Sequence, residues 1–292
     1  MVVFHRRLPR LEYLAPKSLK ETLSLLSQYG VRAKVFAGGT DLVPKLKRRE
    51  FGTPEYLIDL KNIPDWDYIN YSLESGLKIG PLASIRSIEN SPVIKEKFNV
   101  LAEAARSMAS VQIRNRGTIA GNICNAVPSA DSAPALLTLD ARLKLVSTKG
   151  ERTVNINDFF TGPSTTVLKA DEILTEIQIP SQPASAGGKY LKLTPRSAMD
   201  LAIVGVAIQI LADCGTCNEI RIALGAVSPT PMRAKKAENF LKGQGLTPDL
   251  IGKTAEIAGT ECSPITDHRA SKEYRCEMVK VLTKRAINEA IA

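Results

Sequence analysis

The chain has 292 residues, enough for two packed domains rather than one minimal core. Apolar residues make up 44% and charged residues 24%, an ordinary balance for a water-facing globular protein, and the longest apolar stretch, 201–212, is broken by Gly205 and Gln209 and is too short to span a bilayer. The net charge of +9 admits an acidic partner, an anionic ligand or nucleic acid, but aromatic residues are only 5%, which argues against a base-stacking surface and leaves nucleic-acid binding unexpected.

In chain order, the N-terminus Met1-Val2-Val3-Phe4-His5-Arg6-Arg7 has charge but no apolar segment after it, so no signal peptide and a cytoplasmic location are expected. Leu19, Leu23, Leu25 and Leu26 fall at amphipathic helix spacing over 19–29, with Gly30 as the stop. Lys34-Val35-Phe36 reads as a short strand running into Ala37-Gly38-Gly39-Thr40-Asp41, and 42–49 reads as a helix. The basic run Lys45-Leu46-Lys47-Arg48-Arg49 reads as its solvated C-terminal end, where cations offset the helix dipole. Strands are expected at 56–60 and 77–80, and helices at 84–90 and 100–109. After a segment of small and turn-forming residues over 117–131 come a helix at 133–139 and strands at 142–146 and 173–179. The run from Pro180 to Gly188 has linker composition and marks a domain boundary. Beyond it, strands at 202–211 and 219–227 flank a hairpin turn from Asp213 to Asn218, and helices follow at 234–242, 248–258 and 272–290.

Two segments carry chemistry. In Phe36-Ala37-Gly38-Gly39-Thr40-Asp41-Leu42, paired glycines between a strand and a helix let the backbone approach an anion, and Thr40 offers a hydroxyl. The spacing is neither GxGxxG nor a Walker loop, so a tight strand-to-helix turn stands beside the diphosphate reading. The segment from Thr118 to Asp131 holds small residues, amides, a hydroxyl and one carboxylate, able to wrap an extended polar ligand or to form a surface loop of turn residues. The five cysteines are odd in number and scattered, as in a reduced compartment. Cys214-x-x-Cys217 with Cys262 and Cys276 could form a thiolate metal site, but the unequal spacing favours buried or turn thiols, and no metal is expected.

Taken together, Ala37-Gly38-Gly39-Thr40-Asp41-Leu42 and the run from Gly117 to Asp131 resemble the FAD-binding domain of the xanthine dehydrogenase and carbon monoxide dehydrogenase flavoproteins. Phe159-Phe160-Thr161-Gly162 with Ala170-Asp171-Glu172-Ile173-Leu174 is similar to the family's segment before its linker. Tyr190-Leu191-Lys192, Arg196 and Asp200-Leu201-Ala202 are similar to the segment after it. The likeness covers nearly the whole chain. It implies an α+β fold: a two-lobed FAD-binding domain of the vanillyl-alcohol-oxidase type over 1–180 (lobes about 1–55 and 56–180), a linker at 181–188, and a smaller α+β domain of a sheet with packed helices over 189–292.

The resemblance also implies roles. Lys34, Val35, Phe36, Ala37, Gly38, Gly39, Thr40, Asp41 and Leu42 would line the FAD diphosphate and ribityl chain. Thr118, Gly121, Asn122, Cys124, Asn125 and Asp131 would hold the other side, with Asp131 on cofactor hydroxyls. Leu174 would touch FAD through its backbone, Lys192 would lie near the isoalloxazine ring, and Met108 would border the flavin. Gly39 leaves the loop without a basic side chain for the phosphates, and with only His5 and His268 in the chain a histidyl-linked flavin is not expected. The implied function is the electron-transferring FAD subunit of a molybdenum hydroxylase, with no catalytic side chain of its own. A large subunit would hold the molybdenum cofactor and a small one the [2Fe-2S] clusters, with NAD, ferredoxin or a quinone as external acceptor. A stand-alone flavin reductase of the same fold and a non-catalytic nucleotide-binding assembly protein remain as alternatives.

Overall fold

The computed structural model describes residues 7–196 and 199–292. Residues 1–6, on which the signal-peptide expectation rests, and residues 197–198, between the Arg196 and Asp200 motif residues, lie outside the described residues. The chain opens with β1 (Glu12–Leu14), α1 (Leu19–Tyr29), β2 (Ala33–Phe36), α2 (Leu42–Arg48) and β3 (Tyr56–Asp59). Ser18 caps α1 by accepting from the Glu21 amide, Leu23 and Leu26 turn inward, and Gly30 ends the helix at a φ of 49°. The three strands form a parallel sheet in the order β1-β3-β2. Because β3 is the central strand, this first sheet runs past residue 55, where the sequence divides the lobes.

A second sheet, antiparallel, takes its strands from far apart in the sequence. β4 (Ile69–Ser72) and β5 (Gly76–Ile79) precede six short helices: α3 (Ile85–Asn90), α4 (Pro92–Lys97), α5 (Asn99–Ser107), α6 (Val111–Arg116), α7 (Ile119–Asn125) and α8 (Ser132–Thr138). Then come β6 (Arg142–Ser147), β7 (Gly150–Asn155), the small hairpin β8 (Phe160–Gly162) and β9 (Thr165–Thr166), and β10 (Ile173–Ile179). The order is β4-β5-β10-β6-β7, so β10 returns to the centre. Leu77, Ile79, Leu143, Leu145 and Ile177 pack in one core with Ile88, Leu101 and Leu136 from the helices.

The C-terminal sheet is antiparallel, in the order β11 (Ala186–Leu193), β12 (Val204–Asp213), β13 (Thr216–Gly225) and β14 (Met232–Arg233). It is followed by α9 (Lys235–Leu241), α10 (Pro248–Glu261) and α11 (Lys272–Ile291). Strand alternation gives the sheet two different faces. Val204, Val206, Ile208, Ile222 and Leu224 pack against the helices, whereas Tyr190, Ala207 and Ala223 join the core of the second lobe. Small residues on the second face permit that approach: a Cβ at Gly225 would lie 2.9 Å from Pro134 Cγ of α8.

Two sequence readings shift here. Ala186, Gly187 and Gly188 belong to β11 rather than to a loose linker, and a Cβ at Gly187 would lie 1.8 Å from the Ala290 carbonyl oxygen. The glycines mark a close approach of strand to helix. The expected six-residue hairpin turn narrows to Cys214-Gly215, because Asp213 pairs with Thr216. Both turn residues have positive φ, 46° and 75°, as a two-residue turn matched to strand twist requires.

Arg275, 1% exposed, anchors α11 to the sheet ends. Its guanidinium donates to the carbonyls of Ile203 (2.7 Å) and Ala226 (3.2 Å) and to Asp267 Oδ1 (2.8 Å). Backbone and side-chain donors of Arg269, together with Arg275, hold the Asp267 carboxyl well below the usual carboxylate range. Arg275→Met is expected to lower stability by roughly 3 kcal/mol, the cost of breaking a buried pair. An ionised, paired carboxylate contributes stability above its unfolded pKa and loses it as pH falls through the depressed folded value. The deficit of the variant should therefore be full at neutral pH and shrink in acid. Urea denaturation at pH 7 and pH 3 checks this, and an equal deficit at both would remove Asp267 from the account.

Candidate cofactor site

Between the first sheet and the second lobe lies a cavity of about 830 Å³, within the ~300–1,000 Å³ typical of ligand clefts. One wall is the turn that carries β2 into α2. Gly39 has a φ of 73°, and a Cβ there would lie 2.0 Å from Phe36 Cε2. The Phe36 ring thus packs beneath the turn, with Lys61 Nζ 3.6 Å from its centroid. A Cβ at Gly38 would lie 2.1 Å from the Arg116 carbonyl oxygen and 2.8 Å from Gly117 Cα. Glycine is required at both positions, at one by conformation and at the other by contact with the opposite wall.

That opposite wall is α7 and the turn after it. Thr118 caps α7, its hydroxyl accepting from the Gly121 amide at 3.0 Å. Ile119, Ala120 and Ile123 face the core, so the small-residue segment folds as a helix whose Gly121, Asn122, Cys124 and Asn125 remain at the cavity. Asn122 Oδ1 accepts from the Ser132 hydroxyl at 2.6 Å. Lys45 Nζ donates to Asn125 Oδ1 at 2.5 Å, while Asn125 Nδ2 is buried without a hydrogen-bond partner. A buried amide with an unmet donor is costly and marks a place for a polar ligand. Burial pushes the Cys124 thiol up to about 12, which keeps it protonated at neutral pH.

Every sequence-selected residue lines this cavity except Phe36 and Lys192: Lys34, Val35, Ala37, Gly38, Gly39, Thr40, Asp41, Leu42, Thr118, Gly121, Asn122, Cys124, Asn125, Asp131 and Leu174 all do, as does Met108. Phe36 supports the glycine turn from behind. Lys192 stands behind Asp131, its Nζ 2.8 Å from Asp131 Oδ2. The cavity also takes in Lys45, which the basic run had suggested was solvated. Lys45 follows Asp41 by four positions, about one helix turn, and that spacing is the signal that would have placed both on one face. Burial raises the Asp41 carboxyl, and Lys45 and Arg48 pull it back. Lys45 thus places a cation at the cavity wall, beside a turn that has no basic side chain of its own. Glu172, also at the cavity, is held in a two-point ion pair by Arg152 at 2.8 Å on each oxygen. Away from the cavity, Cys214 is exposed, Cys217 is buried, and the Cys262 and Cys276 sulfurs face each other at 3.3 Å. Among the described residues, no three His, Cys, Asp or Glu side chains group as metal ligands would.

A family profile described as the FAD binding domain in molybdopterin dehydrogenase matches residues 9–182, and one described as the CO dehydrogenase flavoprotein C-terminal domain matches residues 189–290. The chain belongs to the FAD-binding subunits of the molybdenum hydroxylase family. It is 37% identical to the carbon monoxide dehydrogenase medium chain of Hydrogenophaga pseudoflava, over 97% of this chain and 98% of that one. It is 34% identical to a putative xanthine dehydrogenase FAD-binding subunit of Escherichia coli, over 96% of each. In a solved structure of the Hydrogenophaga pseudoflava carbon monoxide dehydrogenase, the matching chain superposes with a TM-score of 0.93, covering 97% of this chain and 98% of that one.

This flavoprotein is therefore an oxidoreductase subunit, its cofactor is FAD, and its α+β architecture is that of the family. The residues present fit the cofactor: a glycine turn that leaves bare backbone at the cavity, a lysine on the same wall, and an amide donor left open. Gly39→Val adds a β-branched side chain at positive φ against Phe36 and should yield folded protein free of flavin. The ratio of absorbance near 450 nm to that at 280 nm, beside an unchanged far-UV circular dichroism spectrum, checks this. Full flavin content in the variant would move the cofactor off this turn.

Proposed function

We propose that this chain is the electron-transferring flavin subunit of a three-subunit complex. The large subunit would oxidise substrate at a molybdenum cofactor, and a small subunit would relay electrons through [2Fe-2S] clusters to this chain. NAD, ferredoxin or a quinone would then take them up. When bound, FAD accepts electrons singly and can release two together as a hydride. The residues of this chain bind and orient it. The Gly38-Gly39 turn and Lys45 would receive the diphosphate, and the open Asn125 amide would donate to it or to the adjoining ribityl chain. Asp131 would accept from cofactor hydroxyls, and the backbone at Leu174 would close the far side.

The observation that carries this reading is the cavity itself, assembled from both motif segments in a chain aligned almost end to end with a relative named a medium chain. Relatives of similar identity are named for carbon monoxide and for xanthine, which supports placing substrate recognition outside this subunit. The +9 charge would speed encounter with an acidic face of the small subunit. A cytoplasmic location completes the proposal; among the described residues no helix is long and apolar enough to cross a membrane.

Asp131→Ala should weaken FAD by about 1–3 kcal/mol, the scale of a lost charged hydrogen bond. Flavin titration of the apoprotein measures this, and an unchanged dissociation constant would remove Asp131 from the cofactor. The subunit role is tested by anaerobic spectroscopy. Substrate should bleach the flavin in the intact complex and leave the isolated chain oxidised, while dithionite reduces both. Bleaching of the isolated chain by substrate would favour a self-sufficient flavoenzyme.

A further inference from the structure

Away from the cavity, two thiols of the C-terminal domain meet across the helix layer. Cys262 is the C-cap of α10, and Cys276 lies in the second turn of α11. Cys262 Sγ is 3.1 Å from the Gly259 carbonyl oxygen and 3.3 Å from Cys276 Sγ. Both cysteines are half-buried, so a small reagent can reach them. Cys214 and Cys217 are nearer in sequence, but one is exposed on the hairpin turn and the other is fully buried in the core.

The two sulfurs are held face to face by contacts on either side. Gly259, one turn before Cys262, lets the helices touch without a side chain between them: a Cβ there would lie 2.7 Å from Lys280 Cγ and 3.3 Å from the Cys276 carbonyl oxygen. The residue after Cys262 is tied to the sheet, the Ser263 amide donating to the Val227 carbonyl at 2.9 Å. The residue before Cys276 is tied to the same sheet end, Arg275 donating to the Ala226 carbonyl at 3.2 Å. Burial and the facing Cys276 sulfur push the Cys262 thiol up to about 12. Thiol–disulfide exchange needs the thiolate, so the pair reacts slowly at neutral pH.

We propose that Cys262 and Cys276 form a dithiol–disulfide site, oxidised by a small-molecule disulfide to a bond that joins α10 to α11. One cysteine thiolate attacks a sulfur of the oxidant and expels the first small thiolate, leaving a mixed disulfide. The second cysteine thiolate then attacks the protein sulfur of that mixed disulfide and expels the second small thiolate. The two cysteines lose two electrons and two protons, and the oxidant becomes two thiols. The sulfurs must close from 3.3 Å to a bond of about 2.05 Å. Cys262 has room to follow, because its backbone is already extended and outside the helix, at φ −80° and ψ 153°. The bond would enclose the connection that carries Asp267, Arg269 and Arg275, the group that anchors α11 to the sheet. A cross-link between residues fourteen positions apart restricts the unfolded chain, so the oxidised domain is the more stable one.

The test uses the full flavin-loaded chain, incubated with excess oxidised glutathione or with dithiothreitol, then alkylated and digested with trypsin. Trypsin cuts after Lys253, Arg269, Arg275 and Lys280, which places the two cysteines on separate peptides, each without a further cysteine. Mass spectrometry of the oxidised sample should show peptides 254–269 and 276–280 joined, and dithiothreitol should separate them. Thermal unfolding should shift upward by roughly 5–10 °C on oxidation. Cys262→Ser should remove the joined peptide and the shift, with flavin content and the reduced midpoint unchanged; Cys276→Ser serves in its place if that variant does not fold. Glutathione adducts on either cysteine without the joined peptide would show that the sulfurs do not close, and would overturn the proposal. So would both cysteines remaining fully alkylated, or a joined peptide with no change in the unfolding midpoint.

Discussion

The two motif segments meet backbone to backbone at Gly38 and Gly117. With 2.1 Å between a notional Cβ at 38 and the Arg116 carbonyl oxygen, a methyl group would push the first sheet away from α6 and α7. The cavity exists because this contact is made without side chains. Thr40 takes part as well, since its Oγ1 would lie 3.4 Å from a Cβ at Gly117. From this junction the walls diverge, α2 bringing Lys45 and Asp41 along one side and α7 bringing Asn122 and Asn125 along the other. The hydrogen bond from Lys45 to Asn125 bridges them again about two helix turns further on.

Much of the fold could be read from the sequence where local and tertiary preferences agree. The helix ending at Gly30 has a capping serine, a clear apolar stripe and a glycine stop, and its bounds coincide with the pattern. The strands over Val204–Asp213 and Thr216–Gly225 have sustained apolar composition and a glycine in the turn. The segment 117–131 was harder, because its composition is that of a loop. There Thr118 supplies a cap and Ile119, Ala120 and Ile123 supply a buried face, and packing overrides the low helix preference of glycine and asparagine. The Gly187-Gly188 pair misleads for a similar reason: in sequence, a glycine needed for close approach looks the same as a glycine needed for freedom.

The site residues divide the same way. The glycine turn and the α7 side chains could be found because contiguous residues carry the motif. Lys45 was masked by its basic neighbours, and only its one-turn spacing from Asp41 distinguishes it. The relation of Lys192 to Asp131 crosses sixty-one positions, from the start of α8 to β11, and no local pattern encodes it. Charge in the cavity wall is managed by pairing throughout: Glu172 with Arg152, Asp131 with Lys192, and Asp41 facing Lys45 and Arg48.

The parallel sheet β1-β3-β2 has a consequence for the order in which the molecule can be made. Its central strand is the last of the three in sequence, so β1 and β2 have no hydrogen-bonded neighbour until residue 59 has been synthesised. The glycine turn hangs from β2 and then waits for Gly117, and β10, the middle strand of the second sheet, arrives only at residues 173–179. Nonlocal closures of this kind are slow. A nascent chain emerging from the ribosome thus carries the glycine turn early and a finished pocket late. Flavin loading belongs after release of the second sheet's central strand, and a chain stalled before that point offers the cofactor one wall.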